Sequence, residues 1–361
     1  MPDWISTPEH LNDRLRQRPA RVGLDTEFIR ERTYWPCLAL VQLAIDGDIL
    51  LVDTLAPGIP EALAPLLVDP SVLKVMHSAS EDLVALKHTC GVLPSPLFDT
   101  QIAAALAGVG AGIGYQKLVQ EITGVALPKG ETRSDWMRRP LSDTQLEYAA
   151  DDVEYLFALH DALDARLQAS GRQEWLAEDC RRFVENAARD EGDTWPHLAM
   201  RSAQFLEADA QARLLRLLRW RDTTARTSDK PRTWILDNEL AAALAKQPPK
   251  DRAALQQRLE AHPKAPMKLG HALWQALNQP LDDEAGMPLA HAASDTEKKR
   301  LKQAQDIVTQ HSATLGLPDG VLASRRHLET LLESGQWPGA LSGWRRQQLE
   351  PLLAPLLPAA G

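Results

Sequence analysis

Apolar and polar positions follow two different rhythms along the 361-residue chain, and the change falls near residue 200. In the first 110 residues, short apolar runs alternate with helical stretches. Residues 22–29 predict a strand, and 37–45 with 49–51 predict a hairpin turning at Asp46-Gly47-Asp48. "LKVMH" (73–77) reads as a short buried strand. "SASEDLVALKHTCG" follows it as a helix, with a capping box of Ser78 and Glu81 and a closing Gly91. "PLFDTQIAAALAG" (96–108) repeats the strand-to-helix step, with Asp99 as the helix cap. A hairpin followed by β-α-β order predicts a mixed sheet with helices packed on it. "GVGAGIGY" (108–115) follows a helix rather than a strand, so it predicts a loop and not a phosphate cradle. A long helix is expected from 142 to about 171, and another over 174–188.

Beyond "DTWPHLAM" (193–200) the strand rhythm disappears and helical periods broken by Pro and Gly take over. These form two helical units of similar plan meeting near 280–295. The expected division is a mixed α/β domain over 1–200, with its core in about 1–170, then helical domains over 206–288 and 289–361.

Against this pattern two acids stand out. Asp25 and Glu27 lie two apart inside the first strand, which puts both on one face of the sheet and Thr26 on the other. A carboxylate withdrawn from water needs a cation. Asp82 lies in the first turn of the helix after 78, beside its apolar stripe. In "LSDTQLEYAADDVEYLFAL" (141–159), Tyr148 and Asp152 are four apart, so they share a helix face about 40° from each other. Asp152 flanks the stripe of Leu146, Ala149, Val153 and Leu156, whereas Asp151 turns further toward solvent. Four carboxylates on three elements, with a tyrosine beside the last, are a donor set for hard divalent cations such as Mg²⁺ or Mn²⁺. Two such ions can clamp an in-line phosphoryl displacement.

Composition changes this picture little. With 44% hydrophobic and 25% charged residues the chain is ordinary globular protein. Cys37, Cys90 and Cys180 form no CxxC pair, which argues against a disulfide framework or zinc site and for a reducing compartment. The N-terminal stretch has neither the apolar run of a signal peptide nor that of a membrane anchor. Charge is more informative. The net charge is −9, yet 211–270 holds 13 Lys and Arg against 6 Asp and Glu, a local +7 that leaves −16 for the rest. Within that segment Arg213, Arg216, Arg219 and Arg221, with Trp220 and nearby Trp234, are candidates for tracking a nucleic-acid backbone, or else for a structural helix face.

These residues resemble the DEDD 3′→5′ exonucleases, which are built on the ribonuclease H-like fold. Asp25-Thr26-Glu27 is similar to their D-x-E motif, Asp82 in "HSASEDL" to the second motif, and Tyr148 to Asp152 to the Y-x-x-x-D of the tyrosine branch. "TYWPCLALVQLA", "LFDTQIAAAL" and "SDWMRRPLSDTQLEYAADDVEYL" resemble the ribonuclease D family, and the two helical units resemble its HRDC domains. The resemblance implies a ribonuclease H-like α/β domain followed by two all-α HRDC-like domains. It implies two divalent metal ions on Asp25, Glu27, Asp82 and Asp152, with Tyr148 orienting the attacking water. The implied activity is 3′→5′ exoribonuclease digestion releasing 5′-mononucleotides, in the maturation of precursor tRNA 3′ ends, by a monomeric cytoplasmic enzyme. Thr26, Phe28, His77, Lys129 and Arg133 are candidate substrate contacts, with Phe28 stacking on a base or filling the sheet core. Trp136 is expected to pack on the motif helix. The motifs alone leave open a DNA 3′→5′ exonuclease and a non-catalytic nucleic-acid adaptor.

Overall fold

The computed structural model describes residues 2–128, 134–189, 192–263 and 266–357. The elements of the N-terminal half run β1 (Asp3–Ile5), α1 (Pro8–Arg14), β2 (Arg21–Ile29), β3 (Cys37–Ile45), β4 (Asp48–Asp53), α2 (Ile59–Val68), β5 (Leu73–Met76), α3 (Ser80–Cys90), β6 (Leu97–Asp99), α4 (Thr100–Leu106), α5 (Tyr115–Thr123), α6 (Asp143–Glu154), α7 (Leu156–Ala169) and α8 (Gln173–Ala188). Thereafter come α9 (Ala208–Ser228), α10 (Arg232–Ile235), α11 (Asn238–Lys246), α12 (Arg252–Glu260), α13 (Gly270–Asn278), α14 (Asp295–Leu315), α15 (Arg325–Ser334) and α16 (Trp344–Leu353).

The six strands form one sheet in the order β1-β4-β3-β2-β5-β6. β2, β3 and β4 pair antiparallel as a meander, whereas β1 joins β4, and β5 and β6 join β2, in parallel. This is the mixed sheet that the hairpin and β-α-β signals predict, flanked by helices. Each flanking helix buries an apolar stripe, such as Leu83 and Leu86 of α3 or Leu156, Leu159 and Leu163 of α7. β1 escapes the sequence reading because three residues carry too little alternation to register.

One polar residue lies deep in this layer. Lys74 of β5 is 0% exposed, and its Nζ donates to the carbonyl oxygens of Asp69, Val72 and Ser95 at 2.6–2.8 Å. Burial pushes its pKa down to about 8, which still leaves an ammonium at pH 7 with three protons for three acceptors. The lysine thereby ties the entry of β5 to the turn before β6.

The chain divides into two compact units. One comprises Met1–Ile29, Pro36–Arg189 and Asp295–Gly361; the other comprises Arg30–Trp35 and Asp190–Ser294. The C-terminal helices α14–α16 therefore cluster with the sheet domain, because Val308, Leu328, Leu349 and Leu353 join its hydrophobic core. In the second unit, α9 is the central helix, and Leu214, Leu217 and Leu218 pack against Leu240, Leu244 and Leu273.

The arginines of α9 serve that packing. Arg213 donates to the Ala245 carbonyl, Arg216 forks onto Glu284, Arg219 onto Asp283 and the Thr194 carbonyl, and Arg221 onto the Leu236 carbonyl and Asn238. All four guanidiniums close bonds within their own unit, so the structural reading of this helix holds over the backbone-tracking one. Trp220 packs into the core, and Trp234 is 57% exposed.

Candidate active site

β2 sets the site. Alternation along the strand places Gly23, Asp25 and Glu27 on one sheet face and Val22, Leu24 and Thr26 on the other. Across the antiparallel ladder Asp25 faces Gln42 and Glu27 faces Leu40; a β-bulge then follows between Glu27 and Phe28. The α6–α7 segment covers the Asp25 face. It comes close because Gly23 has no side chain: a Cβ there would lie 3.1 Å from Ala44 Cβ and 3.2 Å from Leu156 Cδ1. Leu156 opens α7 just after the break at Tyr155, so its contact at Gly23 helps position the end of α6, where Asp152 lies. Gly23→Ala is expected to lower kcat about 10-fold while the protein still folds, since small displacements of a catalytic group carry such costs. Single-turnover digestion beside a melting curve checks it.

α6 is fixed at both ends. Ser142 and Gln145 form a reciprocal capping box at its start. The preceding loop is clamped by Arg139, which binds both carboxyl oxygens of Asp53 at 2.6 and 3.1 Å and the Ala39 carbonyl at 2.7 Å. Trp136, 4% exposed, packs with Leu40, Leu51 and Ala149, its ring 6.2 Å from that of Tyr148. At the other end the single helix expected over 142–171 breaks at Tyr155. The Tyr115 hydroxyl donates to the Asp151 carbonyl at 3.0 Å and accepts from the Tyr155 amide at 3.2 Å. It thus inserts into the i→i−4 rung that would have joined those two residues, a recognised cause of a helix kink.

Asp82 comes from the opposite side of the sheet. The Thr26 hydroxyl donates to its carboxylate, and Asp82 is 8% exposed in the first turn of α3. The four acids are therefore gathered from both faces around β2. The expected capping box at Ser78 and Glu81 does not form: Ser78 adopts φ +56°, and α3 starts at Ser80 with Ala79 as its cap. The start of the helix is held from a distance instead. Asp99 accepts the Ala79 amide at 2.9 Å through one oxygen and caps α4 through the other, from Gln101 and Ile102 at 2.8 and 3.1 Å. Asp99 is the α4 cap the sequence indicates, and it positions Asp82 as well.

The electrostatics of this cluster are unusual. Burial, then Asp82, Asp152 and Glu27, raise Asp25 well above the ordinary carboxylate range. Burial with Asp152 and Asp82 pushes Glu27 up to about 9. Burial chiefly takes Asp152 to about 7, against the nearby Tyr148 hydroxyl, and Asp82 to about 6, against the Thr26 bond. Among the described residues no cation is a main influence on any of the four. Burial, then Asp152 and Glu27, push the Tyr148 phenol upward.

Among the described residues no three His, Cys, Asp or Glu side chains are drawn together as a ready-made metal shell. The fit of divalent ions rests on the donors themselves: four carboxylates gathered together, largely withdrawn from water, with no counter-charge among the described residues. Hard cations with oxygen preference neutralise such a set.

The other candidates fall in different places. Thr26 is 6% exposed and its hydroxyl is engaged by Asp82. His77 directs Nδ1 to the Thr100 hydroxyl at 2.9 Å, its Nε2 is enclosed, and its ring meets Tyr115 edge-on at 5.6 Å. Both point inward. Phe28 is half-buried at the edge of the core. Lys129 and Arg133 lie outside the described residues. Gly23, Tyr115 and Gln42 are absent from the motif reading; a lone amide in "LALVQLAI" is the signal that marks Gln42.

Residues 2–168 match the 3′-5′ exonuclease family model, and 210–277 match the HRDC domain model. Ribonuclease D of Xanthomonas oryzae pv. oryzae is 64% identical over 361 residues, covering 100% of this chain and 99% of the relative. Ribonuclease D of Pseudomonas paraeruginosa is 35% identical, covering 99% and 98%. The crystal structure of Escherichia coli RNase D, described as an exoribonuclease involved in structured RNA processing, superposes with a TM-score of 0.85 at 30% identity over 99% of this chain and 98% of that one. Fold and relatives agree from end to end, and the chain belongs to the ribonuclease D family of 3′→5′ exoribonucleases.

Proposed function

We propose that this enzyme shortens structured RNA from its 3′ end, releasing 5′-mononucleotides, and that precursor tRNA is a substrate. The observation that carries the reading is the buried acid cluster of Asp25, Glu27, Asp82 and Asp152, uncompensated by any cation among the described residues, with Tyr148 beside it. These four acids would hold two divalent cations, Mg²⁺ or Mn²⁺, which when bound polarise the attacking water and stabilise the departing 3′ oxygen. Tyr148 orients that water through its hydroxyl, from the helix face it shares with Asp152. Thr26 serves by holding Asp82. Phe28, re-aimed by the bulge after Glu27, is the candidate for stacking on the terminal base. Lys129 and Arg133 remain the candidates for phosphate contact. In this reading α14–α16 are a second HRDC-like module, and the protein works as a monomer in the cytoplasm. The three free cysteines, and the absence among the described residues of any helix long and apolar enough to cross a membrane, are compatible with that.

Digestion of a 5′-labelled, 3′-extended tRNA in Mg²⁺, Mn²⁺ or EDTA tests the proposal, with a matched DNA strand alongside. The expected result is a ladder shortening from the 3′ end of the RNA and lost in EDTA. Preference for the DNA strand would move the substrate, since only the 2′-hydroxyl separates the two.

A further inference from the structure

Gln42 occupies the middle of β3 and is 0% exposed, yet neither its amide nitrogen nor its amide oxygen has a hydrogen-bond partner among the described residues. A buried amide left unpaired is costly, and native structures rarely keep one without a use. Its neighbours on either side are apolar: Val41 and Leu43 along the strand, Leu51 across the ladder on β4. The other cross-strand partner is Asp25. Directly paired residues of antiparallel strands project to the same face with Cβ atoms about 4.5–5.5 Å apart. Two methylenes give the amide of Gln42 the reach to approach the carboxylate of Asp25, although the two make no hydrogen bond in this structure. On that face the amide lies under the same helix that brings Tyr148 and Asp152.

We propose that Gln42 is a positioning residue for Asp25, its amide nitrogen donating to one carboxylate oxygen and leaving the other free for a divalent cation. The inference rests on the four-acid metal site proposed above. Ligating carboxylates are commonly held by such an outer hydrogen bond, and losing it typically weakens metal binding or activity by about 10–100-fold. Gln42 cannot replace the missing cation, because it carries no charge. It can select the rotamer in which Asp25 faces Glu27 and Asp152 rather than the apolar layer.

The test uses the full-length protein with Gln42→Leu, which removes the amide, and Gln42→Met, which keeps the unbranched shape in case the first packs badly. Three readouts are taken: the melting temperature in EDTA, Mn²⁺ affinity by calorimetry without RNA, and kcat and KM on single-stranded RNA. The metal-free variants should melt at or above the wild-type temperature, bind Mn²⁺ roughly 10–100-fold more weakly, and lose kcat at unchanged KM. A folded Gln42→Met or Gln42→Leu protein with wild-type Mn²⁺ affinity overturns the inference. Asp152→Asn is the control: if it too binds Mn²⁺ like wild type, the metal site itself is misplaced; if it alone loses Mn²⁺, only the role of Gln42 fails.

Discussion

Asp25→Asn and Asp152→Asn should each cut 3′-end digestion by on the order of 10³-fold or more, while raising the melting temperature of the metal-free protein. Both effects come from one cause. Asp82 from α3 and Asp152 from α6 meet Asp25 and Glu27 on β2, Glu27, Asp82 and Asp152 each raise the pKa of another acid of the set, and among the described residues no lysine, arginine or histidine is a main influence on them. Without metal, the fold carries this repulsion as a cost. The carboxyls meet that cost by taking up protons at neutral pH, and a neutral amide in place of one of them removes part of it, a gain of about 1 kcal/mol by the usual exchange of stability against function. With metal, the same substitution removes a ligand from the reacting centre. Differential scanning in EDTA, paired with digestion of end-labelled RNA in Mn²⁺, reads the two effects separately. Digestion at the wild-type rate by either variant would remove these acids from the mechanism. A large drop in melting temperature would show instead that the carboxylate is a structural group.

Asp179→Ala should be the most damaging substitution away from the site, at about 3–5 kcal/mol of stability. Asp179 on α8 is 6% exposed. One of its oxygens, Oδ1, accepts from the Trp344 indole at 3.1 Å, from Arg345 at 2.5 Å and from Arg182. Around this hub the rings of Trp175 and Trp344 stack at 4.3 Å and 4°. The start of α16 is locked just as tightly: Gly343 takes φ +61°, and a Cβ there would come within 1.6 Å of a Glu178 oxygen. Deleting the Asp179 carboxylate removes the shared acceptor of two largely buried guanidiniums, leaving Arg182 with Glu178 and Arg345 with the Val321 carbonyl, which costs more than losing a surface ion pair. Asp179→Asn keeps the acceptor atom and loses only the charge, so its cost should fall between wild type and Ala. Urea denaturation gives the magnitudes, and limited proteolysis should show cleavage moving into α14–α16. A loss below about 1 kcal/mol for the alanine variant would mean that the apolar contacts alone hold those helices.

The division between what was legible in the sequence and what was not follows the range of the interactions. Strand period, helix period and turn residues act over a few neighbours, so the meander, β5 with α3 and β6 with α4 were readable, as was the switch to helices near residue 200. The catalytic candidates were readable for a related reason. Acids set in apolar runs contradict their surroundings, and such conflicts mark function. The lone amide at Gln42 is a signal of the same kind, fainter because a glutamine carries no charge to conflict with an apolar layer.

Contacts between residues far apart in the chain were not readable. The Ser78–Glu81 pattern matched a capping box, yet it does not form, and Asp99, twenty residues past Ala79, holds the amide of the Ala79 cap of α3 instead. The helix expected across 142–171 was broken by a hydroxyl from Tyr115, which no local period encodes. The α9 arginines had the spacing of a nucleic-acid stripe, but carbonyls and acids of the same unit claimed them. By itself, then, the sequence marked the candidate catalytic residues and most of the elements that bear them. Only the tertiary structure decided that Asp82 arrives from the opposite sheet face under the hand of Thr26, that the contact at Gly23 helps position Asp152, and that the last three helices share the core of the first domain. Each depends on which surfaces meet when the chain packs, and packing is a property of the whole chain rather than of any window along it.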